Sequence, residues 1–139
     1  MNTKTITALL PASKADVFDY LSATENLSQW ATEFCRELKM VDGKHKVVTC
    51  NPDAPELYFE IHSDRATGVI DMLAGPTPDQ LWKFPTRVVE LHGERSIYIF
   101  TMIQMPGLPD EKFEQQYQSL HKEFENIHRR FERKQVARM

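Results

Sequence analysis

Six apolar residues near the end of the chain, Phe113, Tyr117, Leu120, Phe124, Ile127 and Phe131, recur at spacings of four, three, four, three and four. Only one face of an α-helix repeats with that period. The spacing predicts a helix that starts at Asp110, after the break Met105–Pro106–Gly107–Leu108–Pro109, and runs to about Arg133. Acidic residues lie early in it (Asp110, Glu111, Glu114) and basic ones late (Arg129, Arg130, Arg133), as the helix dipole favours. At 1.5 Å per residue such a helix is roughly 36 Å long. Its aromatic stripe needs an apolar surface of the same extent.

The rest of the chain can supply that surface as a sheet. Thr3 to Leu10 is rich in Thr, Ile and Leu and stops at Pro11, which suits a first strand. Ser13 then caps a short helix carrying Val17, Phe18, Tyr20 and Leu21, and a second short helix is expected from Glu25 to Trp30, capped by Thr24. From Phe34 the period shortens to two. Leu38 to Val41 meets Asp42–Gly43, a hairpin signal, and His45 to Cys50 returns. Leu57 to His62 alternates, with Leu57, Phe59 and Ile61 on one side and Tyr58, Glu60 and His62 on the other. Val69 to Leu73 is a further strand. Leu81 to Leu91 and Ser96 to Met105 flank His92–Gly93–Glu94–Arg95 as a long hairpin, in which Pro85 marks a bulge or an edge. These seven candidate strands, about 4.8 Å apart, span roughly 30 Å. The expectation is an α+β fold: a curved seven-stranded antiparallel sheet wrapped around the C-terminal helix, with two short helices after strand 1. Space that the helix leaves unfilled becomes a pocket.

With 139 residues, residues 1–139 make one domain, large enough to fold without disulfides. A formal net charge of −3 and no basic half argue against nucleic acid as a partner. The basic end, His128–Arg129–Arg130 to Arg138, is interrupted by Glu132 and reads as a solvated helix end. The start has no apolar leader, and no stretch reaches the eighteen or so apolar residues of a spanning helix, so no membrane insertion is expected and the chain reads as cytoplasmic. Cys35 and Cys50 lack ligand spacing with any His pair and read as small buried hydrophobes. The histidines form no HExxH motif, and neither a glycine-rich phosphate loop nor a GxSxG elbow is present. Neither metal nor cofactor is therefore expected.

The opening "PASKADVFDYLSATENLSQWA" (Pro11 to Ala31) and the closing "FEQQYQSLHKEFENI" (Phe113 to Ile127), set in this element order, resemble the START/Bet v 1-like (SRPBCC) helix-grip superfamily. The polyketide cyclase/dehydrase and lipid-transport branch is the most similar. The resemblance implies a cavity between sheet and helix holding a small hydrophobic molecule. It leaves open a carrier or sensor, a cyclase or dehydratase, and an interaction module related to chaperone ATPase regulators. Fold alone does not decide among them.

Within that frame the candidate ligand-binding residues are Trp30, Phe34, His62, Met72, Trp82, Arg87, Tyr98, Phe100, Met102, Tyr117 and His121. The aromatic and methionine side chains suit an apolar lining, and equally an ordinary core. Arg87 shares a face with Tyr98, Phe100 and Met102 if the loop near Gly93 has an even number of residues, and would then grip a carboxylate or carbonyl. Otherwise it is an edge arginine paired with Glu60, Glu90 or solvent. His62 beside Glu60, or His121 beside the helical stripe, could move protons, or each is simply a hydrogen-bonded surface histidine. No catalytic residue is assigned. Exposed apolar sheet residues would allow a homodimer.

Overall fold

The computed structural model describes residues 2–138, with side chains as far as residue 133; the end of the basic run thus lies outside the described side chains. Strand β1 (Thr3–Leu10) leads into α1 (Lys14–Leu21), a single 3-10 turn (Thr24–Asn26) and α2 (Leu27–Trp30). Strands β2 (Cys35–Val41), β3 (Lys44–Thr49), β4 (Glu56–Asp64), β5 (Val69–Thr77), β6 (Gln80–Phe84), β7 (Thr86–Leu91) and β8 (Arg95–Ile103) follow, and α3 (Asp110–Arg138) closes the chain. The strands form one curved antiparallel sheet in the order β1-β8-β7-β5-β4-β3-β2, with β6 paired to β5 off that path.

Capping explains where α1 begins. The Ser13 hydroxyl accepts the Asp16 N–H at 3.1 Å, relieving one of the free donors of the first turn. The second short helix differs from expectation: its first turn is 3-10, and no side chain caps it.

Eight strands appear where the sequence suggested seven, because Pro85 divides the stretch from Leu81 to Leu91. Proline has no N–H to give a ladder, and the chain changes neighbour there. Before it, β6 pairs with the far part of β5 (Met72 opposite Phe84); after it, β7 meets β5 only at Val69 opposite Arg87. The junction is completed by Val88 N–H to the Gly68 carbonyl at 2.9 Å and by the Thr86 hydroxyl to the Ile70 carbonyl at 2.6 Å.

Alternation assigns the faces. Ile6, Ala8 and Leu10 of β1 lie opposite Phe100, Tyr98 and Ser96 of β8, all buried. Val47, Phe59, Ile70, Met72, Ala74 and Val88 continue this inner face, and α3 lies over it with Phe113, Leu120, Phe124, Ile127 and Phe131 buried. Tyr98 lies nearly flat on Phe124 with ring centroids 5.5 Å apart, and Phe100 meets Phe124 edge-on. Tyr20 of α1 packs edge-on against Phe131 and carries Arg130 over its face at 4.4 Å.

Two side chains of α3 bind the connection from α2 to β2. Asn126 donates to the Trp30 carbonyl at 3.0 Å and to the Thr32 hydroxyl at 2.9 Å, and Glu123 accepts from Glu33 and Phe34.

Candidate functional site

Covering of the inner face is uneven. Beneath the second half of α3 the core is closed, with Val17, Val47, Ile127 and Phe131 fully buried. Along the first half, apolar side chains of the same face remain partly open: Phe34 and Leu38 on the β2 side, Ile61 on β4, Phe84 on β6, and Leu108 and Tyr117 at the start of α3. Trp82, opposite Ala74, is 46% exposed, and Met40, opposite His45, is 58% exposed. The inner surface is thus left partly open along β2–β6 and the first turns of α3, an apolar stretch called the groove below. Small-molecule sites are usually lined by mostly apolar surface with few polar groups.

Phe34 and Phe59 meet at 6.3 Å and Phe84 and Phe100 at the same distance, so both groove walls are ring clusters that continue into the core. At the rim, Lys4 is bound by Glu114 and lies 4.5 Å from the centre of the Tyr117 ring, whose edge contact with His121 is 4.6 Å.

The candidate residues divide into four groups. Phe34, Trp82 and Tyr117 border the groove; Phe100, Met72 and Met102 lie behind it, 8%, 3% and 6% exposed. Trp30 and Tyr98 are closed in the core. Arg87, His62 and His121 are exposed.

Arg87 faces outward. The turn after β7 holds three residues, His92, Gly93 and Glu94, because Leu91 pairs with Arg95. An odd loop shifts the register by one and turns every side chain over, so Val88 lies opposite Tyr98 and Arg87 opposite Ile99. Glu94 at φ 55° and Gly93 at φ 74° supply the left-handed backbone of this loop type. Arg87 donates instead to the Thr67 carbonyl at 3.0 Å. His62 pairs with Asp71 on the outer face and reaches Glu60 there at 3.0 Å. The expected sharing of a face by Tyr58, Glu60 and His62 holds, but that face is turned away from the groove. Cys50 is also exposed, unlike the buried Cys35, whose thiol burial pushes up to about 11.

One buried polar residue escaped the sequence reading. Glu123 is 5% exposed, and its Oε2 accepts the N–H groups of Glu33 at 3.2 Å and Phe34 at 3.1 Å. Burial pushes its carboxyl up to about 8, against the opposing pull of those two N–H groups, so it is largely neutral at pH 7. Its position was a usable signal: three residues after Leu120 and four before Ile127 places a side chain beside the apolar stripe. The described residues contain no group of three or more His, Cys, Asp or Glu placed to hold a metal ion. No helix among them is long and apolar enough to cross a membrane.

No protein-family model matches the sequence, and no curated protein matches it. Solved structures do. A START superfamily protein from Mycobacterium smegmatis superposes with a TM-score of 0.65 at 12% identity, covering 94% of this chain and 97% of that one. Ara h 8.0201 gives 0.62 at 21% identity over 91% and 95%. The Zhui aromatase/cyclase from a Streptomyces species gives 0.63 at 15% identity over 92% and 89%. At these identities the likeness speaks for architecture: the chain has the START/Bet v 1-like helix-grip fold.

Proposed function

We propose that the protein binds a small hydrophobic molecule, of lipid or polyketide-like character, in the groove between the sheet and the first half of α3, as a cytoplasmic carrier or sensor. The observation that carries this reading is the uncovered part of the inner face, where Phe34, Leu38, Ile61, Phe84 and Tyr117 stay half-open and Trp82 is 46% exposed. Apolar area left open this way is stabilised when a ligand covers it, by roughly 25 cal/mol per Å². A cyclase or dehydratase in the same groove would need titratable groups converging within hydrogen-bond reach. Arg87, Glu60 and His62, the residues that would have served, face the other way.

N-phenyl-1-naphthylamine, which fluoresces in apolar sites, tests the reading. Saturable one-to-one binding is expected. Trp82→Asp at the groove is expected to weaken it at least about tenfold, since a carboxylate there must be desolvated under the probe. Leu9→Asp, at a residue 54% exposed on the outer face, should leave it unchanged. Non-saturable binding, or equal effects of the two substitutions, would remove the groove as the site.

A further inference from the structure

Glu123 and Tyr98 are polar groups buried in the core next to the open apolar face, and each has an unused hydrogen-bonding atom. Glu123 Oε2 is occupied by two backbone N–H groups, which places the carboxyl proton on Oε1. No protein group among the described residues hydrogen-bonds Oε1. Tyr98 is fully buried, and its hydroxyl also has no hydrogen-bond partner. The neighbouring Thr86 hydroxyl has given its hydrogen to the Ile70 carbonyl, and its oxygen does not meet the Tyr98 O–H in hydrogen-bonding geometry. Tyr98 stacks on Phe124, the residue after Glu123, and burial resists ionisation of the phenol. Each residue therefore keeps an O–H donor that no described protein group takes up. Burying a donor unsatisfied costs about 1–3 kcal/mol, so an acceptor brought by a ligand would be favoured here.

We propose that Glu123 and Tyr98 are the polar end of the groove and take the carbonyl oxygen of a neutral, otherwise apolar ligand, a ketone in the simplest case. This rests on the groove being the binding site. Phe34, half-buried against Phe59 and tied to Glu123 through its own N–H, borders the way in and must turn for a carbonyl to reach Tyr98. A carboxylate is a poor occupant. Among the described side chains, the strand cations of the inner face are Lys4, already bound by Glu114, and His45 when protonated, while Arg130 sits on Tyr20. The groups near Glu123 add no positive charge: Cys35 from β2, Tyr98 from β8, and Glu33, which Lys122 pairs at 3.6 Å.

Three probes of closely matched shape separate the possibilities by displacement of N-phenyl-1-naphthylamine: 2-acetonaphthone, the hydrocarbon 2-isopropenylnaphthalene and 2-naphthoate. The ketone is expected to bind about five- to tenfold tighter than the hydrocarbon, as one or two net hydrogen bonds allow, and the carboxylate weakest. Tyr98→Phe should remove most of the ketone's advantage and leave the hydrocarbon unchanged. Glu123→Gln retains an acceptor for the two N–H groups and a donor in place of the acid, so it should keep the preference. Between pH 7 and 9 the preference should fall in the native protein, as the acid loses its proton, and stay flat in Glu123→Gln. A ketone bound no tighter than the hydrocarbon, or a Tyr98→Phe variant that weakens both alike, would overturn the proposal while leaving the groove as the site. If none of the three probes binds, the groove reading fails and this inference fails with it.

Discussion

Gly68→Ala is expected to destabilise the fold by about 3–5 kcal/mol, more than an ordinary surface substitution by a wide margin. Gly68 has φ +80°, and a Cβ there would lie 2.1 Å from the Val88 carbonyl oxygen. The left-handed backbone costs an alanine about 1 kcal/mol. The overlap adds more, because Val88 is fully buried and its N–H is bonded to the Gly68 carbonyl, so neither strand can retreat without losing that bond. Gly68 stands where the β7–β8–β1 half of the sheet joins the β2–β5 half, at a junction with a single residue pair. Gly43 is the natural control: its φ is +76°, but nothing lies within 4 Å of an added Cβ. Gly43→Ala should cost about 1 kcal/mol. Urea denaturation decides the matter. Equal midpoint shifts for the two variants would mean that the close approach at Val88 is not a constraint.

The second large effect is a dependence of stability on pH. The carboxyl of Glu123 is raised from 4.5 to about 8 in the folded chain. The folded state thus holds a proton that the unfolded state has already released. Stability from this group is fully present below about pH 4.5 and is lost as pH rises through 8, with a steepest slope of about 1.4 kcal/mol per pH unit. The total is on the order of several kcal/mol, large against a typical stability of about 5–15 kcal/mol. Glu123→Gln keeps the shape and the acceptor and cannot ionise. Its stability should be nearly flat over the same window and should exceed that of the native protein at pH 8.5. Parallel curves for the two proteins would show that Glu123 ionises without penalty, hence that it is solvated.

Much of the architecture could be read from local pattern because the burial of each side chain follows its spacing. The stripe from Phe113 to Phe131 is the buried face of α3, and Tyr117 is its half-open member because it borders the groove rather than the closed core. Alternation in β4 and β8 was equally legible. What local pattern could not supply was the parity of the β7–β8 loop. Four residues, His92 to Arg95, stood between the predicted strands, but Arg95 extends β8, and that one residue turned Arg87 from the inner face to the outer. Pro85 was legible as an irregularity, yet its consequence, a change of partner from β6 to β7, depends on β5 being long enough to serve both. Glu123 was passed over for a different reason. Charged residues on an amphipathic helix normally face water, and only the backbone N–H groups of a loop 89 residues away in sequence make its burial tolerable.

Methyl-labelled protein with unlabelled 2-ethylnaphthalene gives the most direct test of where a ligand sits. Intermolecular nuclear Overhauser effects are expected from the ligand to the methyl groups of Leu38 and Ile61 on the inner face, and none to Leu9, Ile97 or Ile99 on the outer face. Contacts confined to the outer methyl groups, or no contacts at all with the ligand in excess, would contradict a binding groove between the sheet and α3.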